Sequence, residues 1–123
     1  MKIYYENVLA NHNYIAKPNI AWVADITEFD LNRGKKVYVF LCLDVFSNRI
    51  LISLFRTKPI TTSDIVKKLT EVIEKRIPIK PRREVIIHTD RGSQFKNKTY
   101  YNFIKQHEGL VELSMYRQAT PKD

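Results

Sequence analysis

The stretch Val85-Ile86-Ile87-His88-Thr89-Asp90-Arg91-Gly92-Ser93-Gln94-Phe95, written VIIHTDRGSQF, sets an acid where a strand should end. Val-Ile-Ile is β-branched and apolar, the residue type that fits a pleated, buried surface. Asp90 follows, then Arg and Gly, which favour a turn. The helix pattern upstream decides the fold. Thr61, Thr62 and Ser63 offer N-cap oxygens and Asp64 suits a first turn. Ile65, Val66, Leu69, Val72 and Ile73 recur at helical spacing, with Lys67, Lys68, Glu71 and Glu74 on the other face. Pro78 ends the helix. A strand, this helix and the strand 84–89 predict a crossover, so the last should run parallel to a strand of the same sheet. Asp90 then falls at a strand's carboxyl end, where ligands of open α/β sheets bind.

Working back, Ala21 to Phe29 reads as a strand, and Asn32-Arg33-Gly34-Lys35 as its turn. Val37 to Val45 is apolar almost throughout, so a central strand covered on both faces is expected. Phe46 to Arg49 is a short turn and Ile50 to Phe55 a third strand; two short connections imply an antiparallel meander. Working forward, a helix is expected over 97–107, with Tyr100, Phe103, Ile104 and His107 inward and Gly109 just past its end. Leu110 to Leu113 reads as a fifth strand, and Ser114 to Asp123 as loop. The fold class expected is α/β, a mixed five-stranded sheet flanked by helices. Residues 1–17 read as a leader or linker and 18–123 as one domain.

The 123 residues are 44% hydrophobic, enough for a core and too much for a disordered chain. Cys42, the single cysteine, lies in the apolar run VYVFLCL and reads as a buried structural thiol. No signal peptide is recognised, and the apolar runs are too short to span a membrane, so a reduced, cytoplasmic setting is expected. The net charge of +8 is uneven. Residues 1–55 hold 6 Lys/Arg against 5 Asp/Glu, and residues 56–123 hold 15 against 8. Arg91, Lys96, Lys98 and Lys105 follow Asp90 with no acid before Glu108. A basic surface is the footprint expected for nucleic acid, which makes Arg91, Lys96 and Lys98 candidate phosphate contacts.

Asp25 is the odd residue of the first strand. Alternation puts it on the face of Val23, Thr27 and Phe29, and an unpaired carboxylate inside a strand is costly. Taken alone, Asp25 and Asp90 each read as ordinary structural acids, bonded to backbone or capping a turn. Taken as neighbours, two carboxylates about 4 Å apart repel by roughly 4 kcal/mol at an effective dielectric of 20. A divalent cation removes that repulsion, and Mg²⁺ is commonly held by one or two carboxylates plus substrate phosphates and water. Paired acids on a basic protein thus suggest metal-assisted phosphoryl transfer on nucleic acid. His88 reads as a strand-end histidine hydrogen-bonded in place, and Ser93 has no base at a usable spacing.

Trp22-Val23-Ala24-Asp25-Ile26-Thr27, Leu43-Asp44-Val45-Phe46-Ser47-Asn48-Arg49-Ile50, Ile87 to Phe95, Ser114-Met115-Tyr116-Arg117 and Pro121-Lys122-Asp123 together resemble one family. It is the integrase catalytic core of bacterial insertion-sequence transposases, akin to retroviral integrase. The resemblance runs from about Ile15 to Asp123. It implies a ribonuclease H-like fold with the first and fourth strands adjacent. It also implies that Asp25 and Asp90 are the first two acids of a DDE triad binding Mg²⁺ or Mn²⁺. The reaction implied is attack of water, then of a 3′-hydroxyl, on phosphodiesters of DNA, both mobile-element ends and target DNA. A homodimer is the family-based guess for assembly. Asp44 matches a family position that is not catalytic.

The family's third acid, a Glu, follows the second Asp by about thirty-five residues and a Pro-x-Asp-Asn segment; Glu108 and Glu112 lie too close to Asp90. The domain is therefore expected to be incomplete at its C-terminus and inactive as these residues stand. The alternative is a non-catalytic nucleic-acid-binding or dimerising remnant of a mobile element. A phosphoacceptor receiver domain also sets Asp at strand ends, but the opening three-strand meander argues against it.

Overall fold

In a computed structural model the described residues are 17–77, 84–90 and 92–115. Expectations resting on the leader, Pro78, Arg91 and the segment from Tyr116 onward lie outside them. The strands are β1 (Ala21–Asp30), β2 (Lys36–Asp44), β3 (Ile50–Arg56), β4 (Val85–Thr89) and β5 (Val111–Met115). The helices are α1 (Thr62–Arg76) and α2 (Lys98–Gln106). One mixed sheet forms in the order β3-β2-β1-β4-β5. β2 is antiparallel to both β1 and β3, while β4 is parallel to β1 and β5 to β4.

Local chemistry closes each connection. The first hairpin turns through Arg33 and Gly34, both in the left-handed region (φ 65° and 72°). The second is tied by Asp44, fully buried, whose carboxylate accepts from the Phe46 N–H (3.3 Å) and the Ser47 hydroxyl (3.1 Å). A polar turn thus buries an acid at little cost, since each lone pair used offsets lost hydration. α1 starts in a capping box. Thr61 Oγ1 accepts from the Asp64 N–H, and Asp64 accepts from the Thr61 N–H (3.0 Å). Arg56, at the end of β3, clamps Asp64 in two-pronged fashion at 2.7 and 3.0 Å.

Both helices lie against one face of the sheet. Trp22, Ala24, Phe40, Cys42, Ile52 and Ile87 meet Ile65, Leu69, Ile73, Tyr100 and Phe103 in a single core. The burial expected on both faces of β2 is met on the helix side by Phe40 and Cys42. On the other face Val39 is buried, while Val37, Leu41 and Leu43 are half-buried. A continuous apolar run reports the strand but not how completely each face is covered.

β5 is longer than expected. Ser114 and Met115 continue it, in register with His88 and Thr89, where the sequence reads as loop. The reason is local. Ser114 is fully buried, and its hydroxyl bonds His88 Nδ1 at 2.6 Å, so a polar residue is accommodated inside the sheet.

Candidate metal-binding catalytic site

The parallel register of β1 and β4 builds the site. Val23 lies opposite His88 and Ala24 opposite Thr89, which makes Asp25 and Asp90 the next step along both strands. Alternation sends Trp22 and Ala24 into the core beneath the helices and Asp25 to the opposite face. Asp25 is exposed and Asp90 half-buried. Their carboxyls are within hydrogen-bonding reach of each other.

The chain after Asp90 holds its carboxylate in place. Gly92 donates its N–H to Asp90 Oδ1 at 2.8 Å. A Cβ on residue 92 would stand 2.9 Å from that oxygen and 3.1 Å from Gln94 Oε1. Gly92 is not in the left-handed region, so it serves close approach rather than an unusual turn. Asn97 then caps α2, accepting from the Tyr100 N–H at 2.9 Å. Its amide nitrogen donates to Ser93 O (2.9 Å) and Thr62 Oγ1 (2.7 Å), and Thr62 Oγ1 donates to Gln94 O (2.8 Å). Phe95, buried and edge-on to Tyr100 at 5.4 Å, plugs the loop into the core. The segment carrying the second acid is thus strapped to the start of α1.

Asp25 is held above the usual carboxylate range. Partial withdrawal from water contributes most, then the shared contact with Asp90, then the charge of Asp90. The Ile26 backbone and the Thr27 hydroxyl pull the other way. Two carboxyls in contact need either a shared proton or a cation between them. An all-oxygen pair is the donor set a hard divalent ion accepts, so the residues fit Mg²⁺ or Mn²⁺. His88 lies on the same face, buried, with Nδ1 bonded to Ser114, and burial lowers its pKa. Glu112 pairs with Ile86, four residues before Asp90, or ~13 Å along the strand. Among the described residues no group of three or more His, Cys, Asp or Glu gathers where a metal could sit.

Asp25 and Asp90 are brought together; Lys96 and Lys98 are exposed, one in the loop and one at the first position of α2. Arg91 lies outside the described residues. Sequence alone does not separate a turn role for Gly92 from close approach, because only the position of the Asp90 carboxylate distinguishes the two. A recess of about 150 Å³ abuts Asp90 on the side of Glu28, Tyr38 and Gln94. Larger hollows of about 510 and 540 Å³ lie elsewhere on the surface, without either acid, so chemistry rather than volume marks the site. No helix among the described residues is long and apolar enough to cross a membrane.

The sequence model of the integrase core domain matches residues 15–121. This chain belongs to the integrase core family. Among curated relatives, the putative transposase InsK for insertion sequence element IS150 of Escherichia coli K12 is 29% identical over 117 residues. That match covers 95% of this chain and 39% of the relative. The transposase InsF for insertion sequence IS3A, also of Escherichia coli K12, is 31% identical over 102 residues, 83% of this chain and 34% of that one. The integrase core chain thus spans between a third and two-fifths of the length of these relatives. Two solved structures share the fold. The HTLV-2 integrase catalytic core domain in complex with magnesium gives a TM-score of 0.60 at 19% identity, over 80% of this chain and 60% of that one. The Mos1 transposase catalytic domain, solved with raltegravir and Mg, gives 0.66 at 12% identity, over 85% and 53%. The sheet of this integrase core is the ribonuclease H-like one that the resemblance implied.

Proposed function

We propose that these residues form the catalytic core of a DNA transposase or integrase that uses carboxylate-bound divalent metal for phosphodiester cleavage and strand transfer. The observation that carries this is the contact between Asp25 and Asp90, on neighbouring parallel strands of an integrase core. The relatives InsK and InsF are named as transposases, and the HTLV-2 and Mos1 catalytic domains were solved with magnesium. Asp25 and Asp90 would hold Mg²⁺ or Mn²⁺. When bound, the ion supplies activation of an attacking oxygen and neutralises charge on the phosphate. Asp25 would offer its oxygens from within β1 and Asp90 from the residue just past β4, where the Gly92 N–H fixes one oxygen of Asp90. Arg91, Lys96 and Lys98 would bind backbone phosphates of element-end or target DNA.

A second reading, a non-catalytic nucleic-acid-binding or dimerising remnant, is favoured by one observation. Among the described residues the acidic cluster stops at two carboxylates. The readings separate in a DNA-binding assay at low salt with and without Mg²⁺. The catalytic-core reading expects duplex binding that the cation strengthens in wild type but not in Asp25→Asn. Binding indifferent to the cation supports a nucleic-acid-binding remnant, and no DNA binding at all contradicts the catalytic-core reading and leaves only the dimerising form of the remnant.

A further inference from the structure

A second concentration of charge lies away from the two acids. β3 is an edge of the sheet formed by the described strands, and a groove of about 510 Å³ opens between it and α1. Arg49, from the β2–β3 turn, and Lys68, Lys75 and Arg76, from α1, line it together with a single acid, Glu71. Lys68 approaches Glu71 at 3.9 Å; among the described residues Arg49, Lys75 and Arg76 make no ion pair. Arg76 is held in place, its Nε donating to Asn19 Oδ1 at 3.0 Å.

The ordinary explanation is that cations at a helix end complement its dipole. That accounts for Lys75 and Arg76, which lie in the last turn of α1. It does not account for Lys68 in the middle of the helix, nor for Arg49 on another element. Lys68 and Lys75 are seven residues apart, about 10.5 Å along the helix axis. That is too wide for one small anion to bridge. It matches the rise of about three nucleotides at ~3.4 Å per phosphate on each strand.

The groove cannot serve the phosphodiester at the two acids. Ser53, in its wall, pairs with Leu41, and Leu41 with Asp25. The groove is therefore two strands from β1, ~10 Å across the sheet. It also opens on the side covered by α1, whereas Asp25 faces the other side. We infer that the groove between β3 and α1 is a second nucleic-acid site, which holds the phosphate backbone of a duplex segment distinct from the strand presented to Asp25 and Asp90. This rests on DNA being the substrate.

The test is the salt dependence of binding to a random-sequence 30-base-pair duplex by the 123-residue chain. Arg49→Ala with Lys75→Ala removes two exposed cations, and the protein should stay folded with only the small fall in melting temperature that losing one last-turn cation of α1 brings. Each lost phosphate contact lowers the slope of log affinity against log salt by ~0.9, so the double variant should lose about 2 from the slope. A charge-matched control, Lys67→Ala with Lys105→Ala, should lose less than 1. A wild-type slope in the groove variant overturns the inference, and so does an equal loss in the control. Weaker binding of poly-glutamate with unchanged DNA binding also overturns it, in favour of an acidic protein partner. Absence of DNA binding by wild type overturns the DNA-substrate reading itself, which separates the two failures.

Discussion

Asp25 and Asp90 meet because β1 and β4 run parallel, with Ala24 paired to Thr89 one residue before both acids. The contact puts two like charges together on an exposed face. Unless something neutralises them, it works against folding. Asp25→Asn or Asp90→Asn should therefore raise the melting temperature of the metal-free protein near neutral pH while weakening its response to Mg²⁺. Thermal melts with and without the cation check both signs.

The same contact predicts a pH dependence. The folded-state pKa of Asp25 is raised above its ordinary 3.8. Its contribution to stability is fully present below 3.8 and is lost as pH rises through the raised value. Asp64 has the opposite sign. The Thr61 backbone N–H bond chiefly, then the Thr61 hydroxyl and Arg56, hold its pKa below 3.8. Its contribution is present above 3.8 and is lost as pH falls through the lowered value. Denaturant melts across pH 2–7 should show wild type losing more stability than Asp25→Asn as pH rises above about 4. Asp64→Asn should show less acid sensitivity below it.

Gly92→Ala separates stability from site geometry. The added methyl meets the ends of two side chains, Asp90 and Gln94, rather than backbone. Folding should change by less than about 1 kcal/mol, within the range of substitutions that flexible neighbours absorb. The carboxylate of Asp90 must move, and divalent-ion affinity should fall roughly tenfold, a loss of ~1.4 kcal/mol. Calorimetric titration beside a thermal melt reads both.

Asp64→Ala tests the frame. It removes the Asp64 carboxylate's half of the capping box and the Arg56 clamp, while the Thr61 Oγ1 cap on the residue-64 N–H survives. The variant should lose about 1 kcal/mol in urea unfolding, from one backbone hydrogen bond and a partly exposed ion pair. Since Thr62 also bonds the loop after Asp90, metal affinity should weaken slightly as well.

Cys42 should resist alkylation in the native state. It is fully buried, and burial first, with Asp44 second, pushes its thiol up to about 12. Iodoacetamide at pH 8 should label it only after unfolding, which mass spectrometry reads directly.

Much of this was legible in the sequence, for identifiable reasons. The apolar spacing of Ile65, Leu69 and Ile73 and the Thr61–Asp64 cap signal define α1, and α1 forces the crossover that makes β4 parallel. Which strand β4 joins was not legible from residues alone. Adjacency depends on long-range packing, and only the family resemblance supplied it. Ser114 misled because a serine reads as loop until its partner, His88, is seen across the sheet. The groove at β3 was equally invisible, since Arg49 and Lys75 are distant in sequence and each looks like an ordinary surface charge.

The central claim is that Asp25 and Asp90 bind one divalent cation together. Isothermal titration of Mn²⁺ and Mg²⁺ into wild type, Asp25→Asn and Asp90→Asn at pH 7 tests it most directly. The account predicts saturable binding in wild type and its loss in each single variant, with all three proteins folded. Absence of binding in wild type, or wild-type affinity in both variants, would contradict it.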